Sequence, residues 1–232
     1  MTKADSHHRR AINAGVEGNE RLTAVTSAVL LAFILIALAT TPNLRALLYV
    51  HVFVGILLIG PLAVKLGSTG YRFARYYTGA PAYIAKGPPH LALRIVAPAL
   101  VVLTLVLLVT GSALLLTGPA DPGPFEGLHN LSFVLWFPLA TMHALGHLRQ
   151  LPRTLAEEWR ALRTTEGSRS SSRVELNAGA LLFGAIAGVV ALPTGAPWAA
   201  PGVLSQALPG PVVAAILATG LVVLASRPWK WN

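Results

Sequence analysis

The chain runs to 232 residues, 54% of them hydrophobic and 12% charged, with a mean hydropathy of +0.61, so its apolar surface exceeds what a water-soluble core of this size would bury. The formal charge of +9 comes without the interleaved bases and aromatics of a nucleic-acid groove, and points to anionic lipid headgroups instead. The absence of cysteine excludes disulfides, thiolate-held iron–sulfur clusters and covalent haem attachment through C-x-x-C-H.

Residues 1–21 read as a disordered cytoplasmic tail carrying Lys3, His7, His8, Arg9, Arg10 and Arg21. Uncharged runs follow from Leu22 to Leu44, Ala46 to Val64, Ile95 to Ala120 and Gly127 to Leu148, each near or above the roughly 20 helical residues that cross a hydrocarbon core. The last run, Leu176 to Ser226, is too long for one crossing and is divided by Pro193, Pro201, Pro209 and Pro211. The pattern predicts an all-α integral membrane protein with six transmembrane helices. Ala37-Leu38-Ala39 also resembles a signal-peptidase site, whose use would leave five spans; the length of the apolar run and the acids in its leader favour a retained helix.

Lys and Arg are retained on the cytoplasmic side of a membrane, and this orients the spans. With both termini inside, every base except Arg45 becomes cytoplasmic: those of the tail, Lys65 to Arg94 between the second and third spans, Arg149 to Arg173 between the fourth and fifth, and Arg227 and Lys230 at the end. The expected setting is the bacterial cytoplasmic (inner) membrane. Four regions follow: the tail, a four-helix core over 22–148, a cytoplasmic amphipathic helix and linker over 149–174, and a two-helix transmembrane hairpin over 175–232.

Within the second-to-third connection, Gly70 to Tyr77 mixes bases with aromatics, as interfacial anchors or a docking surface do. His90, after Gly87-Pro88-Pro89, has an interfacial or capping position. After the fourth span, Thr154-Leu155-Ala156-Glu157 has capping-box spacing, and Leu151, Leu155, Trp159 and Leu162 recur at helical intervals, predicting a helix on the inner leaflet. Ser168 to Arg173 reads as a flexible basic linker. The last two spans carry no histidine and many small residues, expected to pack as an accessory hairpin. Between them, Pro193 to Pro211 with Trp198 would cover an outer site or meet a partner, and Trp229 and Trp231 beside Lys230 would anchor the end.

Ionisable residues within spans cost a few kcal/mol and normally face the bundle interior, so His51, His129, His143 and Lys65 are the candidate functional residues. His51 precedes Lys65 by fourteen positions, and His129 precedes His143 by fourteen. That interval returns a helix to within about 40° of its starting face after a rise of about 21 Å, so one helix presents a residue near each membrane surface. The second and fourth spans run in the same direction, which brings His51 level with His129 near the outer surface and Lys65 level with His143 near the inner one. Gly55 leaves a small position one turn below His51, and Phe133, Trp136 and Ala140 share the His129 face, for a flat cofactor or for ordinary helix packing.

Histidines about fourteen apart on two helices resemble the four-helix haem-binding core of membrane b-type cytochromes, the group that includes cytochrome b561-like proteins and the N-terminal half of respiratory cytochrome b. The resemblance covers Leu44 to Leu148 and rests on spacing, depth and helix direction. It implies a four-helix haem-binding bundle in which His51 and His129 ligate an outer haem b, and His143 binds a second, inner one. Arg45 above His51 would pair with a propionate or simply end its helix. The fourth histidine of the pattern is replaced by Lys65, which either ligates as a neutral amine or reaches the headgroups; His147 and His90 are other inner partners.

The resemblance implies an electron-transfer subunit of an oxidoreductase, with the quinone pool or another membrane donor on one side and a redox partner protein on the outer face. No nucleophile with its base, phosphate-binding glycine loop or paired carboxylates point to a complete enzyme. A proton-coupled transporter or channel using the intramembrane His and Lys, and a structural subunit of a membrane complex, remain the other readings.

Overall fold

The computed structural model describes residues 3–85, 87, 91–148, 151–162, 167–204 and 210–225. Among these, all regular structure is helical. Lys86, His90, Arg149, Arg163, Pro209, Arg227, Trp229, Lys230 and Trp231 lie outside the described residues, as do the side chains of His7, His8 and Arg169.

Helix α1 (Lys3–Thr40) ends at a 3-10 turn, Thr41–Asn43, that contains Pro42. The Asn43 side chain accepts from the Ala46 N–H at 3.4 Å and so caps α2 (Leu44–Leu57). Only Leu58 separates α2 from α3 (Ile59–Tyr77). The break has a local cause, because Pro61 supplies no N–H to the Leu57 carbonyl four residues before it. A short α4 (Pro81–Ala85) follows, then α5 (Leu91–Thr117), α6 (Phe125–Leu148), α7 (Leu151–Leu162) and α8 (Gly167–Ala191). A 3-10 segment, Leu192–Ala199, then leads toward α9 (Gly210–Ala225).

By length and composition, Gly15–Tyr77, Arg94–Thr117 and Ser171–Ala199 are apolar enough to cross a membrane, and Phe125–His147 makes a fourth when taken with Leu151–Arg160. Gly210–Val223 is a shorter apolar helix. The first stretch doubles back at Pro42, since α1 packs against both α2 and α3. Large apolar side chains remain uncovered along the helices, among them Leu116 at 83%, Val190 at 72% and Leu221 at 69% exposure. Surfaces of this kind need lipid, and the chain is a helical membrane protein.

Packing divides the core into two pairs. Helices α5 and α6 lie along one another, and α1 lies along α2 and α3; between the two groups, α2 and α5 make a slight contact. Helix α8 runs antiparallel to α2 and α3 and approaches their backbones through Ala180, Gly184 and Gly188, spaced by one turn. A Cβ on Gly184 would collide with the Leu57 carbonyl, the group that Pro61 leaves without its helical donor. Gly60 meets the Ala180 carbonyl just as closely, and a Cβ on Gly188 would lie 2.9 Å from the Phe53 ring.

This arrangement corrects several expectations. Helices α8 and α9 do not pair as a hairpin: the small face of α8 is taken by α2 and α3, while α9 packs on α6 with Val212 and Ala215 buried. Residues 168–173 are helical rather than a flexible linker, because Arg173 makes a bidentate pair with Glu158 at 2.8 and 2.8 Å that ties the start of α8 to α7. Helix α7 begins at Leu151, three residues before the capping box, with Pro152 in its first turn. The basic leader continues α1 from Lys3 onward, with no proline or glycine to stop it before Gly15.

Candidate functional site

His51 and His129 are each held by the helix that precedes them in the chain. Thr40 ends α1, is buried, and its hydroxyl lies 2.6 Å from the Ala37 carbonyl. His51 Nδ1 lies 2.7 Å from the same hydroxyl oxygen. A hydroxyl has one proton, and with that proton on Ala37 the oxygen accepts from His51, so this network assigns the imidazole proton to Nδ1.

His129 repeats the arrangement on the other helix pair. Its Nδ1 lies 3.1 Å from the Leu107 carbonyl and 3.1 Å from the Thr110 hydroxyl of α5. Thr110 donates to the Val106 carbonyl at 2.6 Å, so here too Nδ1 is the donor. Gly111 makes room for the ring: a Cβ there would lie 3.1 Å from His129 Cε1. In both histidines Nε2 is left as the bare lone-pair nitrogen, without a hydrogen-bond partner among the described residues. The two rings lie within electrostatic range of each other although α2 and α6 do not pack. At Gly55, one turn below His51, a Cβ would meet nothing within 4 Å.

A metal-ligating imidazole characteristically donates its other N–H to a carbonyl or equivalent acceptor, which fixes the tautomer and the ring plane. Both histidines meet that requirement through Thr40 and Thr110. Trp136 turns the other way, giving its N–H to Thr104 of α5 at 2.8 Å, and belongs to the α5–α6 packing. Arg45 borders a shallow depression with Pro42, Asn43 and Ala46, above His51 in the chain, and has no ion-pair partner among the described residues.

The other ends of these helices, at Lys65 and His143, are built differently. Lys65 Nζ bonds Ser27 Oγ at 2.5 Å and the Thr23 carbonyl at 3.4 Å, so the amine is taken up by α1. Ser68 accepts from the Thr23 hydroxyl at 3.0 Å, and the Asn19 amide donates to the Ser68 carbonyl at 3.1 Å, extending a polar seam between α1 and α3. On α6, His143 lies beside His147 with ring centroids 4.8 Å apart, and its buried Nδ1 has no hydrogen-bond partner among the described residues. Lys65 is within electrostatic range of both histidines. Among the described residues, this end has no second pair of imidazoles each held by a neighbouring helix.

The Leu192–Ala199 segment lies against α2 and α5. Trp198 donates to the Leu114 carbonyl at 3.0 Å, and Gly195 sits against Val52 and Tyr49. Of the Gly70–Tyr77 aromatics, Tyr71 stacks edge-on with the buried Tyr83, while Phe73 and Tyr77 are exposed.

Sequence reasoning missed Thr40, Thr110, Gly111, Thr23 and Ser27. Hydroxyls inside apolar runs were the available signal, but their targets depend on which helices become neighbours. Among the described residues no three His, Cys, Asp or Glu side chains gather into a metal site. No protein-family model, curated protein or solved structure matches the chain.

Proposed function

We propose that the chain is a membrane b-type cytochrome in which His51 and His129 are the axial ligands of one noncovalent haem near the outer surface. The observation that carries this reading is the matched state of the two imidazoles. Each is pinned through Nδ1–H by a threonine or carbonyl of the preceding helix, each has an Nε2 without a partner among the described residues, and the two lie within electrostatic range of each other. A bound haem iron would supply one-electron chemistry, alternating between Fe(III) and Fe(II).

The chain's own residues do the remainder. Thr40 and Thr110 hold the ligand tautomer and ring orientation, Gly111 gives the His129 ring its place, and Arg45 offers a guanidinium to a propionate. Under this reading α1, the continuous α2–α3, α5, α6, α8 and α9 are six spans, with both termini on the cytoplasmic side of a bacterial inner membrane. The retained first span is supported by what α1 contributes: Thr40 to His51, and Thr23 and Ser27 to Lys65. Electrons would pass between a membrane donor such as the quinone pool and a redox protein on the outer face, making the chain an electron-transfer subunit.

The test is a dithionite-reduced minus oxidised spectrum of the purified full chain, with haem counted by pyridine haemochrome. A b-type α band at one haem per chain supports the proposal; protein that is folded and fully expressed with haem supplied, yet has no such band, overturns it.

A further inference from the structure

The helices that carry His51 and His129 belong to two packed groups. Helices α1, α2, α3 and α8 lie together, as do α5, α6 and α9, and between the groups α2 and α5 make a slight contact. Each histidine is held inside its own group, His51 by Thr40 and His129 by Leu107 and Thr110. Two side chains that act on one bound group must be fixed to within about 0.5 Å of one another's required places. Slight packing between their supports does not supply that.

The Leu192–Ala199 segment crosses from one group to the other. It continues directly from α8, so its start is fixed to the first group. Gly195 is buried against α2, where a Cβ would lie 3.6 Å from Val52 Cγ2 and 3.9 Å from Tyr49 Cε1, on either side of His51 in the chain. Three residues later, the half-buried Trp198 donates its indole N–H to the Leu114 carbonyl of α5 at 3.0 Å. Leu114 stands one helical turn from Thr110 and Gly111, the residues set against the His129 ring. Its carbonyl also accepts from the Gly118 N–H at 3.0 Å, so the indole takes the second lone pair and costs α5 no helical bond. The crossing is stiff: Pro193 and Pro197 fix φ within it, and the Thr194 hydroxyl donates to the Ala191 carbonyl at 2.6 Å.

We propose that Leu192–Ala199 is a brace across the α2–α5 contact that sets how far His51 stands from His129, with Trp198 as its positioning residue. Trp198 acts through Leu114 and the turn of α5 that seats His129, while Gly195 bears on the turn of α2 that carries His51. The brace deepens the haem reading and rests on it for the identity of the ligand, but its effect on helix spacing holds in haem-free protein too. Trp136 gives the internal contrast. Its N–H goes to Thr104 within the α5–α6 pair, so it stiffens one group without linking the two.

The chain has no cysteine, so spin labels at Val50→Cys on α2 and Leu116→Cys on α5, both exposed positions, report the gap between these helices in the haem-free, detergent-purified full chain. We expect a narrow distance distribution in that background and a broader, longer one once Trp198→Phe removes the indole N–H. Trp136→Phe should leave it narrow. In unlabelled protein loaded with haem, Trp198→Phe should lower haem retention about fivefold, the worth of one net hydrogen bond, and shift the midpoint potential. Trp136→Phe should leave the potential where it is. Helix content by circular dichroism checks that each variant is folded. An unchanged distribution in Trp198→Phe, or equal broadening in Trp136→Phe, overturns the brace whatever the chain binds. Broadening in Trp198→Phe with retention and potential both unchanged overturns its role toward the histidines. Absence of haem from the unaltered chain overturns the haem reading instead, and the distance result then decides the brace by itself.

Discussion

The outer and inner ends of the α2–α3 and α6 pair carry the same fourteen-residue spacing but differ in what the neighbouring helix does to it. At the outer end, α1 and α5 each offer an acceptor, and both imidazoles emerge with a fixed tautomer and a bare Nε2. At the inner end, α1 captures the Lys65 amine while His143 is left with an unpartnered nitrogen. Spacing therefore sets the interval along the helices, whereas the adjoining helix decides which polar group each side chain bonds.

The comparison is tested most severely by removing ligands from each end. His51→Ala with His129→Ala should abolish the b-type spectrum, while His143→Ala should leave haem content per chain unchanged. A fall in haem to half in the His143 variant would show that both ends ligate and would break the contrast.

Next in size are the residues that prepare the outer pair. Thr40→Val removes the acceptor of His51 and should weaken haem retention about 10–100-fold in a titration of haem-depleted protein, the usual cost of losing an outer-sphere partner. Thr110→Val should cost less, because the Leu107 carbonyl still accepts from His129. Equal effects would mean that the threonines act by packing alone. Gly111→Val would press on the His129 ring and should likewise lower retention, without changing the response of His51 variants.

A further contrast concerns stability. Arg173→Ala removes the bidentate partner of the nearly buried Glu158 carboxylate, and a loss of about 3 kcal/mol is expected in reversible unfolding. Ser27→Ala removes one neutral partner of Lys65 and should cost only about 1 kcal/mol. If the second loss matched the first, Lys65 would be a central structural tie rather than a donor with remaining capacity.

Much of the membrane architecture was legible in the sequence. Uncharged runs marked the apolar helices, and the spacing singled out the two histidines that come within electrostatic range, His51 and His129. What could not be read were contacts fixed by which helices become neighbours. Thr40 and Thr110 look like any hydroxyl in an apolar run until α1 and α5 are set beside their histidines. Small residues on α8 signalled close packing, but not that Gly184 would meet Leu57 instead of α9. The serine- and arginine-rich stretch at 168–173 reads as a linker by composition; pairing of Arg173 with Glu158, fifteen residues earlier, extends the helix through it.

Haem stoichiometry in the unaltered chain and in the His51→Ala, His129→Ala double variant bears most directly on the ligand pair. We expect one b-type haem per chain in the first and none in the second, with helix content preserved. Full haem retention in the double variant would contradict the assignment.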